Sequence, residues 1–326
     1  MGTTTVHLIG TGGTIAGKLR PSGEITPGLT AKELLELIPT AGEYAHVTPE
    51  DFLQVGSGDI GLREMLALGH RIDEVLADSN ISGVVVTHGT STLEQTAYLL
   101  DTILHHEAPV VVTGAMRNPV LLSDDGPINL LNSIQVAGSP RSRELGVLVV
   151  MNGFIHTARD VTKLHSTHVG AFQSPEFGPL GSIDEDYVYY ARRPFARLPR
   201  IAPRAITASV RLIPFGLYDD DTLAQAAVDP NLDGLVLERI MLNPRQVEQI
   251  TRALVLGKSV VMANPFSFGR LPRATYRREG SEAHLLSLGV AFSGTSAPKA
   301  RIKLTLALSA GLSPVEICEM FQCEWQ

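Results

Sequence analysis

VHLIGTGGTIAG at residues 6–17 and GVVVTHGTSTLEQTA at residues 83–97 share one plan: a short apolar run, a glycine-bearing turn and a threonine just past it, Thr14 in the first and Thr90 in the second. Brief runs of aliphatic and β-branched residues closed by glycine read as buried strands. In open α/β sheets the ligand crevice lies outside the carboxyl ends of the strands, so two such turns can bring their hydroxyls over one crevice. The alternation extends from residue 5 to about 190. Strands are expected at 6–10, 47–55, 84–87, 110–113 and 145–152, with helices between them at 30–39, 91–106 and 126–138. Thr30 stands at a helix cap with Glu33 three residues on, the pattern of a capping box. Strands alternating with helices give a mostly parallel sheet covered on its faces.

A segment rich in Arg and Pro and poor in periodicity, residues 191–209, reads as an interdomain connector. Beyond it the pattern resumes, with strands at 210–215, 234–238 and 259–265, helices at 244–257 and 299–311, and a final helix capped by Ser313 with Pro314 first and Glu316 third. The expected fold class is α/β with two α/β domains. Residues 1–190 form a larger N-terminal catalytic domain with a mostly parallel sheet flanked by helices, and residues 210–326 a smaller parallel α/β domain.

With 326 residues, 44% hydrophobic and 19% charged, the chain can bury two cores, and no apolar stretch approaches the roughly 18 residues of a membrane span. The start shows no basic region followed by a long apolar run, so a cytoplasmic location is expected. A net charge of -7 argues against nucleic acid and anionic membrane as partners. Cys318 and Cys323, the two cysteines, lack zinc spacing and read as packing residues.

The first glycine-rich turn falls short of a dinucleotide fingerprint, because Ile15 stands where the third glycine belongs and no acid ends a second strand about 20 residues on. It is either a tight structural turn or a catalytic one. Hydrolysis of an amide by a hydroxyl needs an activated oxygen, donors for the developing oxyanion and a group to move the proton. Thr14 and Thr90 supply hydroxyls, the N–H groups of the Gly89–Thr90 turn are candidate donors, and Lys163 can move a proton if desolvation lowers its pKa. His88, His165 and His168 have no acid at ligand spacing, so no metal is expected. Asp124 and Asp125 read as a helix cap rather than an acid–base pair.

These segments, together with GAMR at 114–117, SDDGPINL at 123–130, ARDVTK at 158–163, GPLG at 178–181 and SGTSAPKAR at 293–301, resemble in order and spacing the bacterial L-asparaginase/glutaminase family of threonine-dependent amidohydrolases. The resemblance covers nearly the whole chain. It implies a cofactor-free enzyme, a homodimer or homotetramer with its sites at a subunit interface. Thr14 would form the acyl-enzyme, Thr90 and Lys163 would handle proton transfer and water attack, and Ala115 would line the amide pocket. Ser57 would contact the substrate's α-carboxylate. Glu282 would correspond to an acid supplied by the neighbouring subunit.

The departures cluster in substrate handling. Ser91 replaces the family's aspartate after His88-Gly89-Thr90, and Gly58 replaces its glutamine, so two groups that hold the substrate's α-ammonium are absent. Ile25 falls near the lid tyrosine, and ArgIle-MetLeuAsnPro at 239–244 replaces a Gly/Asn-rich loop. Residues 18–28, with Gly23, Pro21 and Pro27, are compatible with a closing loop. The expected function is hydrolysis of a small-molecule amide, lactam or imide through a Thr14 acyl-enzyme, with altered α-amino recognition. The alternatives are ordinary asparagine hydrolysis and a non-catalytic amide-binding relative.

Overall fold

The structure, a computed structural model, describes residues 4–194, 200–214, 220–266, 269–272 and 275–323. Two compact units, Met1–Arg197 and Leu198–Gln326, divide the chain. Of the expected connector, residues 195–199 lie outside the described residues, and 200–209 carry no helix or strand.

The larger unit begins with strand β1 (Thr5–Gly12) and a small hairpin, β2 (Gly17–Leu19) and β3 (Ile25–Pro27). Helix α1 (Ala31–Glu36), strand β4 (His46–Val55), helix α2 (Leu62–Leu76), strand β5 (Gly83–Thr87) and helix α3 (Leu93–Ile103) follow. Next come β6 (Val110–Thr113), α4 (Gly126–Gly138), β7 (Val147–Met151), β8 (Phe154–Thr157), the short pair β9 (Thr162–Lys163) and β10 (Phe172–Gln173), then β11 (Gly181–Asp184) and β12 (Tyr187–Tyr190).

Eight strands form one sheet in the order β12-β11-β8-β7-β6-β5-β1-β4. From β4 to β7 every neighbouring pair is parallel, and from β7 to β12 every pair is antiparallel. The change of direction has a local cause. Asn152 and Gly153 both hold positive φ, 51 and 77°, the conformation of a two-residue hairpin turn. Strands β5, β6 and β7 are buried along their whole length, as the faces of a helix-covered parallel sheet must be. Helix α1 starts with the expected capping box between Thr30 and Glu33, and Asp51 on β4 accepts the N–H of Ala31 at 2.7 Å, fixing that helix to the sheet edge.

The smaller unit holds β13 (Val210–Pro214), α5 (Asp220–Val228), β14 (Gly234–Glu238), α6 (Pro244–Val255), β15 (Ser259–Ala263), α7 (Glu282–Ser287), β16 (Ala291–Phe292), α8 (Ala297–Ser309) and α9 (Pro314–Gln322). Its four strands are parallel in sequence order. Phe215, at the end of the strand expected at 210–215, lies outside the described residues. Lys303 on α8 is buried and donates to the carbonyl of Met320 at 3.0 Å, beneath the ring of Phe321, tying down the last helix. Among the described residues no helix is long and apolar enough to cross a membrane.

The carboxyl ends of β1 and β5 touch backbone to backbone. A Cβ at Gly13 would lie 2.3 Å from both Cα and N of Gly89, and Gly13 holds φ of +78°. Gly13→Ala therefore combines left-handed strain with a clash against main chain, and should lower unfolding stability by roughly 2–5 kcal/mol. Urea denaturation checks this; a loss below about 1 kcal/mol, ordinary for a surface change, would show that the turns separate easily.

Candidate active site

Four turns meet at the carboxyl ends of neighbouring parallel strands, and glycines let them approach. Thr11 at the end of β1 is fully buried and donates its hydroxyl to the carbonyl of Thr87 at the end of β5, 2.8 Å away. Beyond the Gly13–Gly89 contact, a Cβ at Gly89 would lie 2.7 Å from Cβ and Oγ of Ser57, in the turn after β4. One at Gly114, after β6, would lie 2.5 Å from the His88 carbonyl and 3.4 Å from Cγ2 of Thr90. Thr14, Ser57, Thr90 and Ala115 are thereby gathered at one edge of the sheet.

Thr14 opens a single helical turn, Thr14–Ala16, and is half-buried. Its hydroxyl has no hydrogen-bond partner among the described residues. Thr90 differs, because Lys163 Nζ donates to Thr90 Oγ1 at 2.8 Å. Lys163 sits in the β9–β10 pair, where its own N–H is held by Glu94 Oε2 at 2.6 Å and its ammonium lies 5.9 Å from the centre of the Phe172 ring. Burial pushes the Lys163 pKa down from its ordinary value, and the charge of Glu94 opposes that shift. A lysine displaced this way has more neutral amine at neutral pH than a solvated one.

The surroundings are rigid and mostly neutral. His88 is fully buried and its pKa is lowered to about 4, chiefly by desolvation, with the Gly89 carbonyl acting the other way. Its Nδ1–H donates to the Gly89 carbonyl at 2.8 Å, which leaves Nε2 to accept from Thr96 Oγ1 at 3.0 Å. The ring is a brace for the turn. The Gly89 and Thr90 N–H groups donate to no acceptor among the described residues, so both stand available to a developing negative charge. Ser57 is 6% exposed; its Oγ accepts the Ser91 N–H at 3.2 Å, and its carbonyl accepts from Thr92 Oγ1 at 2.8 Å. Ala115 is fully buried.

The Asp124–Asp125 pair does more than cap a helix. Asp124 Oδ1 accepts the Gly126 N–H at 2.9 Å, at the start of α4, and burial first among the causes raises its pKa. Asp125 instead turns back to accept the N–H groups of Met116 at 3.1 Å and Arg117 at 2.8 Å, and Asn129 bridges its carboxylate and the Gly114 carbonyl. Together they hold the turn that carries Ala115.

At the positions of departure, Ser91 and Gly58 are exposed, and a Cβ at Gly58 would meet nothing within 4 Å. Ile25 lies on the β2–β3 hairpin, 44% exposed, with Cγ2 3.2 Å from where a Gly17 Cβ would stand. Glu282 belongs to the smaller unit, at the start of α7, fully buried, and neither carboxylate oxygen has a hydrogen-bond partner among the described residues. His165 and His168 are exposed, and each uses Nδ1 to accept backbone N–H groups of their own loop. Among the described residues no cluster of three or more His, Cys, Asp or Glu is placed to hold a metal.

Three residues of this neighbourhood were not singled out by sequence: Glu94, Asp125 in its role at the Ala115 turn, and Asn129. Glu94, in the first turn of α3, reads as an ordinary complement to the helix dipole. Only the long-range contact to Lys163, 69 residues away, reveals its second role.

The family described as Asparaginase, N-terminal matches residues 5–196, and that described as Glutaminase/Asparaginase C-terminal domain matches residues 209–321. The chain is 32% identical over 328 residues to L-asparaginase 2 of Escherichia coli (strain K12), across 97% of this chain and 92% of the relative. It is 41% identical over 189 residues to L-asparaginase 2 of Bacillus subtilis (strain 168), a match that spans 57% of this chain and 50% of the length of that protein. Its fold matches the crystal structure of a probable cytoplasmic L-asparaginase from Campylobacter jejuni with a TM-score of 0.86 and 29% identity, covering 98% of this chain and 99% of the other.

The opposed influences on Lys163 give a direct test. Glu94→Gln removes the carboxylate that holds the lysine pKa up while keeping an acceptor for the Lys163 N–H, so the pKa should fall further and the neutral fraction at any given pH should rise. Competitive acetylation of Lys163 across a pH series, read by peptide mass spectrometry, should show half-labelling at lower pH in the variant. A midpoint that stays put or moves up would mean that Glu94 does not set the charge of this lysine.

Proposed function

The chain belongs to the asparaginase family, and we propose that it is an amidohydrolase that opens an amide, lactam or imide C–N bond through a Thr14 acyl-enzyme, on a substrate whose α-amino group is absent or blocked. The observation that carries this reading is the 2.8 Å bond from Lys163 Nζ to Thr90 Oγ1, together with a Thr14 hydroxyl that has no hydrogen-bond partner among the described residues.

In this reading the substrate carbonyl lies against Thr14 with its oxygen toward the N–H groups of Gly89 and Thr90. The Thr14 hydroxyl attacks the carbonyl carbon, and its proton passes to the leaving nitrogen with Thr90 and Lys163 relaying it. For a primary amide, ammonia departs and the acyl group stays on Thr14 as an ester. Water then enters, gives up a proton through Thr90 to the neutral Lys163 amine, and attacks the ester. Collapse releases the acid, and the lysine proton returns to Thr14. The lowered Lys163 pKa supports its part as acceptor.

Two features support a substrate without a free ammonium: Ser91 and Gly58 present no charge where a carboxylate and a carboxamide would grip one. A hydrogen bond to a charged group contributes about 1.5–3 kcal/mol, so the loss at position 91 alone weakens ammonium binding roughly 10- to 150-fold. Asparagine as substrate remains the second reading, favoured by the relatives named L-asparaginase and by Glu282, whose buried carboxylate has no partner among the described residues.

Thr14→Ala should reduce kcat by at least about 10³-fold with the melting temperature nearly unchanged, since the half-buried side chain supports no hydrogen bond. Turnover surviving that change would remove Thr14 as nucleophile. For wild type, succinamate or N-acetylasparagine should give a higher kcat/KM than free asparagine in an ammonia-release assay. A clear preference for asparagine would instead establish the second reading.

A further inference from the structure

Resting on the reading of Thr14 as nucleophile, we propose that the substrate carries an aliphatic arm, and that Ile25 of the hairpin together with Val120 and Leu121 of the loop before α4 receives it. The observation is a convergence at Gly17. This glycine closes the turn that Thr14 opens, and a Cβ there would lie 3.0 Å from the Thr14 carbonyl, 3.1 Å from Asn118 Cβ and 3.2 Å from Ile25 Cγ2. The Thr14 turn, the hairpin and the start of the 118–123 loop thus share one point of contact.

That loop is built to display aliphatic side chains. Asp125 holds the N–H groups at its base, Asn118 Oδ1 accepts the Val120 N–H at 3.0 Å, and the Asn118 carbonyl accepts the Leu121 N–H at 3.0 Å. Arg117 Nη1 closes it on the carbonyl of Ser123, at 3.1 Å, where the backbone takes φ of 58°. With the main chain fixed at both ends, Val120, Leu121 and Leu122 stand 49%, 52% and 94% exposed, and on the hairpin Ile25 stands 44% and Leu19 54% exposed. Exposed aliphatic side chains on elements that meet at one point mark a ligand or a partner.

The charged groups nearby are directed elsewhere. Lys18 reaches Glu33 at 3.2 Å, Arg20 donates to Thr26 at 2.6 Å, and Arg117 is spent on Ser123. An arm ending in a charge would be desolvated against aliphatic carbon, whereas methylenes would leave water favourably. Ser91 and Gly58 fit the same chemistry, since both are exposed and neither carries a charge.

Two substrate series test this: N-acylasparagines with acyl chains of two to eight carbons, and succinamates carrying N-alkyl groups of the same lengths on the leaving nitrogen. In wild type, kcat/KM in one series should rise roughly 2- to 4-fold per methylene over the first several carbons, chiefly through KM. Ile25→Ser and Leu121→Ser should flatten that rise, and Leu121→Met should keep it. Both residues are well exposed, and unchanged melting temperatures would confirm that the variants fold. Two flat series in a wild type that Thr14→Ala inactivates would overturn the arm while leaving the nucleophile intact. Full turnover by Thr14→Ala would instead overturn the reading beneath it. If Leu121→Ser changes the mass in sedimentation and leaves the chain-length slope as in wild type, the surface joins copies of the protein and the proposal fails.

Discussion

The contact between Gly13 and Gly89 is the constraint on which the rest of the site depends. Two strand ends can place their following threonines together only if the turns that carry them approach to main-chain distance, and any side chain at either glycine occupies that space. The buried bond from Thr11 to the Thr87 carbonyl fixes the register of the two strand ends, and the His88 ring spans its own turn from Gly89 to Thr96. Rigidity of this kind serves the proposed chemistry. Donors and nucleophile must be in position before the substrate arrives if they are to stabilise developing charge without reorganising.

Lys163 shows how the fold sets a charge state through modest means. It is not sealed in the core; the β9–β10 pair removes part of its water and Phe172 flanks its ammonium, which suffices to lower its pKa. Glu94 works in the other direction, holding the backbone of Lys163 by a hydrogen bond while its charge favours the protonated amine. One carboxylate therefore positions the lysine and limits the shift. His88, with its pKa lowered to about 4, contributes no charge to the balance at neutral pH. The proton carrier that touches Thr90 among the described residues is Lys163.

Much of this was legible in sequence because local and long-range signals agreed. Helix α4 falls on the expected 126–138, and the Thr30 and Ser313 capping boxes form as their spacing requires. The parallel strands read clearly because both their faces are buried, which makes each a short unbroken apolar run. Helix α2 passed unremarked, although Gly61 and Glu64 mark its start and Met65, Leu68 and Ile72 its buried face. The antiparallel strands beyond β7 are four residues long and partly exposed, so their composition is weak; Asn152-Gly153 was the one strong signal for the reversal. The site divided along the same line. Residues next to glycine turns stood out, whereas Glu94 and Asn129 act through contacts distant in sequence and inside helices, where their residue types have ordinary uses.

The pattern of what is retained and what is changed separates two demands on such a site. Bond cleavage needs a free hydroxyl, oxyanion donors and a proton carrier at fixed distances, and the groups proposed for these parts lie on glycine turns and a braced hairpin where substitution is costly. In the proposed reading, recognition of the rest of the molecule falls to Ser91, Gly58, Ile25 and the 118–123 loop, where Ser91, Gly58, Ile25, Val120, Leu121 and Leu122 are exposed. A Cβ at Gly58 would meet nothing, and Leu122 at 94% exposure supports no core. Such positions exchange charge for aliphatic surface without disturbing the turns beneath them, so the chemistry proposed at Thr14 and the choice of what is brought to it can change independently.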